Sequence, residues 1–151
     1  MKKFFILCLL FSVSLLNYAQ SELLIKDGNN NIINDQTIYV VGDIDVLYKS
    51  AEIILAIQNT SANDLSVKIR KEEIDLVSGT TSEFCWDEFC DPPFLNVSSH
   101  SYVISAGETT PELKKLHAFY NAVGNSGAST IKYYAFVEGT SIESSVTVIY
   151  M

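Results

Sequence analysis

The sequence predicts an all-β chain folded as an antiparallel β-sandwich, and three observations carry that expectation. Leu65, Val67 and Ile69 alternate with Ser66, Lys68 and Arg70, the period-two pattern of a sheet with one wet face. Clusters of Gly, Asn, Asp and Ser interrupt the apolar runs at short, regular intervals. No long stretch repeats at the helical period, which turns the count of short strands toward a two-sheet architecture.

The chain opens with MKKFFILCLLFSVSLLNYAQ. Lys2 and Lys3 precede an almost wholly apolar run over residues 4–16, and the small Ala19 follows. That run is shorter than the ~20 residues a membrane span needs. A positive start, an apolar centre and a small residue at the end make a secretory signal peptide over residues 1–19. The expected mature chain is therefore 20–151, a single domain, exported to the periplasm, the cell surface or the extracellular space. No later stretch is long and apolar enough to insert stably in a membrane once the signal is removed.

Charge narrows the partners. The chain of 151 residues carries ten Lys and Arg against eighteen Asp and Glu, a net charge of −8. Loss of Lys2 and Lys3 with the leader makes it more acidic still. Nucleic-acid binding is not expected, because neutralising a phosphate backbone requires clustered Lys and Arg. A mature domain of this length buries about two-thirds of its surface, so its core does not depend on cross-links.

Strands are expected in sequence at 22–26, 37–41 and 46–48, each followed or preceded by turn formers such as DGNNN and VGD. AEIILAIQN then places Ile53, Leu55 and Ile57 on one face, with Ile54 and Ala56 on the other. NTSANDL follows and is expected to join this strand to LSVKIR as a hairpin. A further short strand is expected at 102–104. Residues 111–120 fit two periods: Leu113, Leu116 and Phe119 at helical spacing, or Leu116, Ala118 and Tyr120 as a strand; the surrounding sheet favours the strand. STIKYYAFVEG and SSVTVIY form a closing hairpin around GTSIE, with Val146, Val148 and Tyr150 on one face.

EFCWDEFCD, residues 83–91, holds the densest chemistry. In an exported chain Cys85 and Cys90 are expected to pair, pinching a tight turn of Trp86, Asp87, Glu88 and Phe89. A loop this small is worth about 2 kcal/mol on the chain-entropy estimate, so the bridge shapes a corner more than it stabilises the domain. Glu83, Asp87, Glu88 and Asp91 would raise a thiol pKa and suppress a redox nucleophile. The two histidines, His100 and His117, have no compact zinc spacing with the cysteines. The carboxylates also admit a calcium-stabilised adhesion domain, since Ca²⁺ prefers oxygen ligands; DGNNN, by contrast, lacks the order of an EF-hand loop. No cofactor and no resident metal is expected.

Catalytic material is thin. Ser98, Ser99, His100 and Ser101 stand together in SSHSY, but neighbours in an extended segment point in opposite directions, and no nucleophile elbow is present. No catalytic residue is assigned. A small secreted hydrolase, with a site at the sandwich edge, is the competing reading. The best candidates for contact with a protein or carbohydrate partner are the aromatics Trp86, Phe84, Phe89 and Phe94. Alternatively, Trp86 packs over the disulfide and caps the core.

The order IQNTSANDLSVKIRKEEI, FCWDEFCDPP, ISAGET and GNSGASTIKYYAFVEGTSIESSVTVIY, after a leader ending in YAQ, resembles exported β-sandwich modules of Bacteroidota cell-surface and type IX secreted proteins. The resemblance spans roughly residues 53–150. It implies an immunoglobulin-like fold and an envelope location, and carries over no catalytic residues. Such proteins often continue into a C-terminal sorting domain, whereas this sequence stops at Met151, one residue beyond its last expected strand. The expected protein is a non-catalytic binding or structural module of the cell envelope.

Overall fold

A computed structural model describes residues 21–42 and 50–151. The expected leader and the expected strand at 46–48 lie outside the described residues. Ten strands are described: β1 Leu23–Lys26, β2 Thr37–Val40, β3 Ala51–Asn59, β4 Leu65–Asp75, β5 Thr81–Trp86, β6 Phe89–Asp91, β7 Tyr102–Ile104, β8 Leu116–Asn121, β9 Ser129–Val137 and β10 Glu143–Tyr150. One sheet runs β1-β3-β8-β5-β6 and the other β2-β10-β9-β4-β7. β1, β3, β8 and β5 take the places of A, B, E and D in an immunoglobulin-like sandwich, and β4, β9 and β10 those of C, F and G.

The described pairings are antiparallel with one exception. β2 runs parallel to β10, Thr37 opposite Thr147 and Val40 opposite Tyr150. A parallel pair needs a long connection, and here nearly the whole chain intervenes. Residues 111–120 resolve as the strand reading expects: a 3-10 turn at Glu112–Lys114 leads into β8. The closing hairpin is β9–β10, tied at its end by the Val137 amide donating to the Ile142 carbonyl at 3.0 Å.

The expected hairpin between β3 and β4 does not form. β3 belongs to the first sheet and β4 to the second, so NTSANDL is a corner that crosses the sandwich. Ile53, Leu55 and Ile57 lie on one side of the core, and Leu65, Val67 and Ile69 meet them from the other. Crossing buries both apolar rows against each other; a hairpin would have put them side by side in one layer. Asn59 fixes the corner. It is completely buried, its Nδ2 donates to the carbonyls of Asn63 (2.7 Å) and Ile104 (2.9 Å), and its Oδ1 accepts from the Ser61 amide (2.9 Å) and hydroxyl (2.7 Å). An amide has two donors and two acceptor sites, and all four are used.

The core closes at one end with tyrosines. Tyr120 and Tyr150 stack with ring centroids 4.8 Å apart, and Tyr120 shares a hydrogen bond of 2.8 Å with the Ser129 hydroxyl. Burial pushes the Tyr150 hydroxyl up to about 12 and that of Tyr133 well above its ordinary range, so both stay neutral. Among the described residues no helix is long and apolar enough to cross a membrane.

Replacing Asn59 by Ala takes a donor from the buried Ile104 carbonyl and another from the Asn63 carbonyl, which keeps the Ser61 hydroxyl. The expected cost is about 2–4 kcal/mol, read from urea unfolding at unchanged slope. A loss below about 0.5 kcal/mol would mean the corner is held by something else.

Candidate functional site

EFCWDEFCD is a β-hairpin rather than a bare loop: β5 and β6 pair with Phe84 opposite Asp91, Cys85 opposite Cys90 and Trp86 opposite Phe89. Cys85 and Cys90 are joined by a disulfide, as the sequence predicts. Asp87 and Glu88 turn the chain with φ of 53° and 68°. Positive φ at both central residues is the I′ turn, whose twist matches a two-residue hairpin and which ordinarily takes Asn-Gly. An Asp-Glu pair has Cβ atoms that oppose this conformation, and two features hold it. The disulfide clamps the strands directly behind the turn. Lys114, from the 3-10 turn, places its Nζ 2.8 Å from Asp87 Oδ1 and 3.3 Å from Glu88 Oε1. The Asp87 hydrogen bond, opposed by partial desolvation and assisted by Glu88, raises the Lys114 ammonium above its ordinary pKa.

The four aromatics divide into two pairs. Phe84 is 0% and Trp86 1% exposed, so neither can touch a partner in the folded protein; the contact role expected of them is corrected here. Alternation along β5 turns both inward, and the Trp86 indole crosses the sandwich to donate to the Val67 carbonyl of β4 at 3.0 Å. Its ring meets Tyr102 edge to face at 6.2 Å. Trp86 is a core anchor. Phe89 and Phe94 are 49% and 80% exposed. Phe89, on the edge strand, stacks on the His100 ring at 3.8 Å.

Phe94 stands on the loop 92–98, which is bound closely to β4. The Lys71 amide donates to the Asn96 carbonyl (2.8 Å), the Ser98 amide to the Ile69 carbonyl (2.8 Å), and the Ile69 amide to the Ser98 hydroxyl (3.0 Å). Beneath the loop lies the group that the sequence reading missed, the ammonium of Lys71, whose side chain is fully buried. Its Nζ donates to the Ser82 carbonyl (2.6 Å), the Pro93 carbonyl (2.7 Å), and Glu73 Oε1 and Ser82 Oγ (both 2.9 Å). One cation thus joins β4, β5 and the loop. The signal was present: Lys71 continues the inward series Leu65, Val67, Ile69. Burial alone would raise the Glu73 carboxyl, but the hydrogen bonds from Lys71 and Ser82 outweigh it and hold Glu73 below its ordinary value of 4.5.

The carboxylates of EFCWDEFCD do not converge. Asp87 and Glu88 face Lys114, and Asp91 is buried, accepting the Ser99 amide at 3.2 Å. In DGNNN, Asp27 Oδ1 accepts the amides of Asn29 (2.9 Å) and Asn31 (2.8 Å), an Asx turn that uses the carboxylate within the loop. The histidines take separate partners: His100 Nδ1 lies 2.9 Å from Ser99 Oγ, and His117 Nδ1 lies 2.7 Å from Glu52 Oε1. Ser98 is buried and spends its hydroxyl on the Ile69 amide and the His100 carbonyl; Ser101 bonds Ser66 at 3.0 Å. Asp91 reaches Ser99 only through its backbone amide, so among the described residues no Ser, His and carboxylate are joined in one relay of side-chain hydrogen bonds.

Because the folded-state pKa of Glu73 is depressed, its contribution to stability is present above the unfolded value and is lost as pH falls through the folded value. Stability measured by urea midpoints should therefore decline below about pH 5, and Glu73→Gln should flatten that acidic limb while lowering stability at neutral pH. An unchanged slope in the variant would contradict the assignment.

No protein-family model matches the chain, and no curated protein matches its sequence. Among solved structures it is similar to the N-terminal domain of PorA, at 19% identity over 85% of this chain and 95% of that one, with a TM-score of 0.60. It is also similar to part of a family 123 glycoside hydrolase from Clostridium perfringens, at 11% identity over 86% of this chain but 27% of that one, with a TM-score of 0.51. At these identities the likeness is one of fold: a β-sandwich that recurs both as a separate domain and as part of a larger protein.

Proposed function

We propose that this chain is an exported, non-catalytic binding or structural module of the cell envelope, and that it contacts a protein or carbohydrate partner through the edge bearing Phe89 and Phe94. It works as one domain over 20–151 after loss of the leader, with neither cofactor nor metal. The observation that carries the reading is the contrast within one segment. Two aromatics are sunk in the core, while Phe94 stands 80% exposed on a loop fixed to β4 by backbone hydrogen bonds and a buried cation. A large apolar side chain held rigidly in water loses little conformational entropy on binding, which suits a contact residue. A disulfide supports export, because such bonds persist in oxidising compartments. The separate engagement of His100 and His117 supports the non-catalytic reading over a hydrolase.

The test compares three proteins. Phe89→Ala combined with Phe94→Ala should leave stability within about 1 kcal/mol and lower capture of the partner from an envelope extract at least tenfold, roughly the loss of one strong contact. Trp86→Ala should cost about 3–5 kcal/mol in unfolding. Undiminished capture by the double variant would reject the proposed surface.

A further inference from the structure

β4 is the longest strand described, at 11 residues, and its two edges are unequally used. β9 pairs with it as far as Asp75. On the opposite edge β7 covers residues 65–67, and the loop 92–98 continues the pairing through Val97 and Asn96. The pairing then stops: among the described residues no strand lies against 72–75 on that side.

Backbone direction shows what this leaves open. The amides of Ile69 and Lys71 both bond toward the loop, so residues of that parity point away from β9. The Glu73 N–H and the Lys71 carbonyl share that direction and face outward past Asn96. An open groove of about 510 Å³ lies at this point, lined by Arg70, Lys71, Glu72, Glu73 and Asn96. After it the ladder shifts register between Glu73 and Asp75, leaving Ile74 55% exposed. Bulges and charges are common guards of strand edges. A guarded edge is normally occupied by the guard, however, and here there is room for another backbone.

We propose that the edge of β4 at Lys71–Glu73 receives an extended peptide segment with basic side chains, which adds to the sheet as one more strand. The outward backbone groups of Lys71 and Glu73, which no strand among the described residues meets, select an extended occupant. The charge selects a basic one. Glu72, which also accepts the Tyr134 hydroxyl at 2.8 Å, and Asp75 are exposed and the chain as a whole carries −8, whereas the two cations beside the groove are committed, Lys71 to Glu73 at 2.9 Å and Arg70 to Glu143 at 3.1 Å on the outer face. Ile74 offers an apolar contact beside them. The edge and the Phe94 surface share the loop 92–98, but peptide protection at Glu73 and capture through Phe94 are read by separate measurements.

The probe is a short capped peptide of alternating lysine and valine, added to the intact protein while amide exchange is followed by NMR. The expected result is slowing of the Glu73 amide by about tenfold or more, no slowing by a version with proline at alternate positions, and affinity at least about tenfold weaker for Glu72→Lys with Asp75→Lys. Both substituted residues are exposed, so the variant should fold; retained dispersion of its NMR spectrum checks this. Absence of protection at Glu73, protection at β2 or β7 instead, or equal action of the proline peptide would overturn the site. Equal affinity for the charge-reversed protein would overturn the basic partner. Protection of Glu73 that rises with protein concentration alone would replace the partner by a second copy.

Discussion

The ammonium of Lys71 is the constraint on which this side of the molecule depends. A lysine side chain taken wholly out of water must regain its hydration from the protein, and four oxygens from three separate segments supply it. Few arrangements of β4, β5 and the loop 92–98 satisfy that demand together. The desolvation penalty is large enough that such a group adds little net stability, and its effect is to choose one geometry over others. With the loop placed, Phe94 acquires a fixed position, Asn96 ends the strand pairing, and the edge of β4 beyond it stays open.

The hairpin of β5 and β6 is set by a second, apolar constraint. Trp86 and Phe84 anchor β5 in the core, and the indole hydrogen bond to Val67 ties one sheet to the other. The short β6 needs more help, because its turn uses Asp and Glu where the backbone favours Asn and Gly. The disulfide and Lys114 supply it, one behind the turn and one in front. Lys114 offsets one of the two charges of the acidic tip from within the chain, and Phe89 is stacked on His100. The same short sequence therefore serves as core, staple and surface.

The fold was largely legible because alternation survives tertiary context. Val146, Val148 and Tyr150 face inward as their spacing indicates, and the β9–β10 hairpin forms around GTSIE. The corner at Asn59 was not legible, since turn formers mark a reversal without saying whether the next strand stays in the sheet. β5 and β6 were hidden by their own charges, which resemble a loop. The disulfide could be read from compartment and spacing. The division of the aromatics could not, because Phe84 and Trp86 share a face of β5 only once that strand is assigned. Lys71 was visible as the fourth member of an inward series. Lys114 was not, since it approaches the turn from a distant segment.

The most direct measurement compares amide exchange in the native protein and in Lys71→Met, a substitution close in shape that removes the cation. With the cation gone, the Ser98 amide, bonded to Ile69, should lose protection as the loop lifts from β4, while the Ile57 amide of β3 in the other sheet, bonded to Thr110, should keep its own. Unchanged protection at Ser98 would show that the loop holds its place without the ammonium, and that Lys71 does not set this side of the molecule.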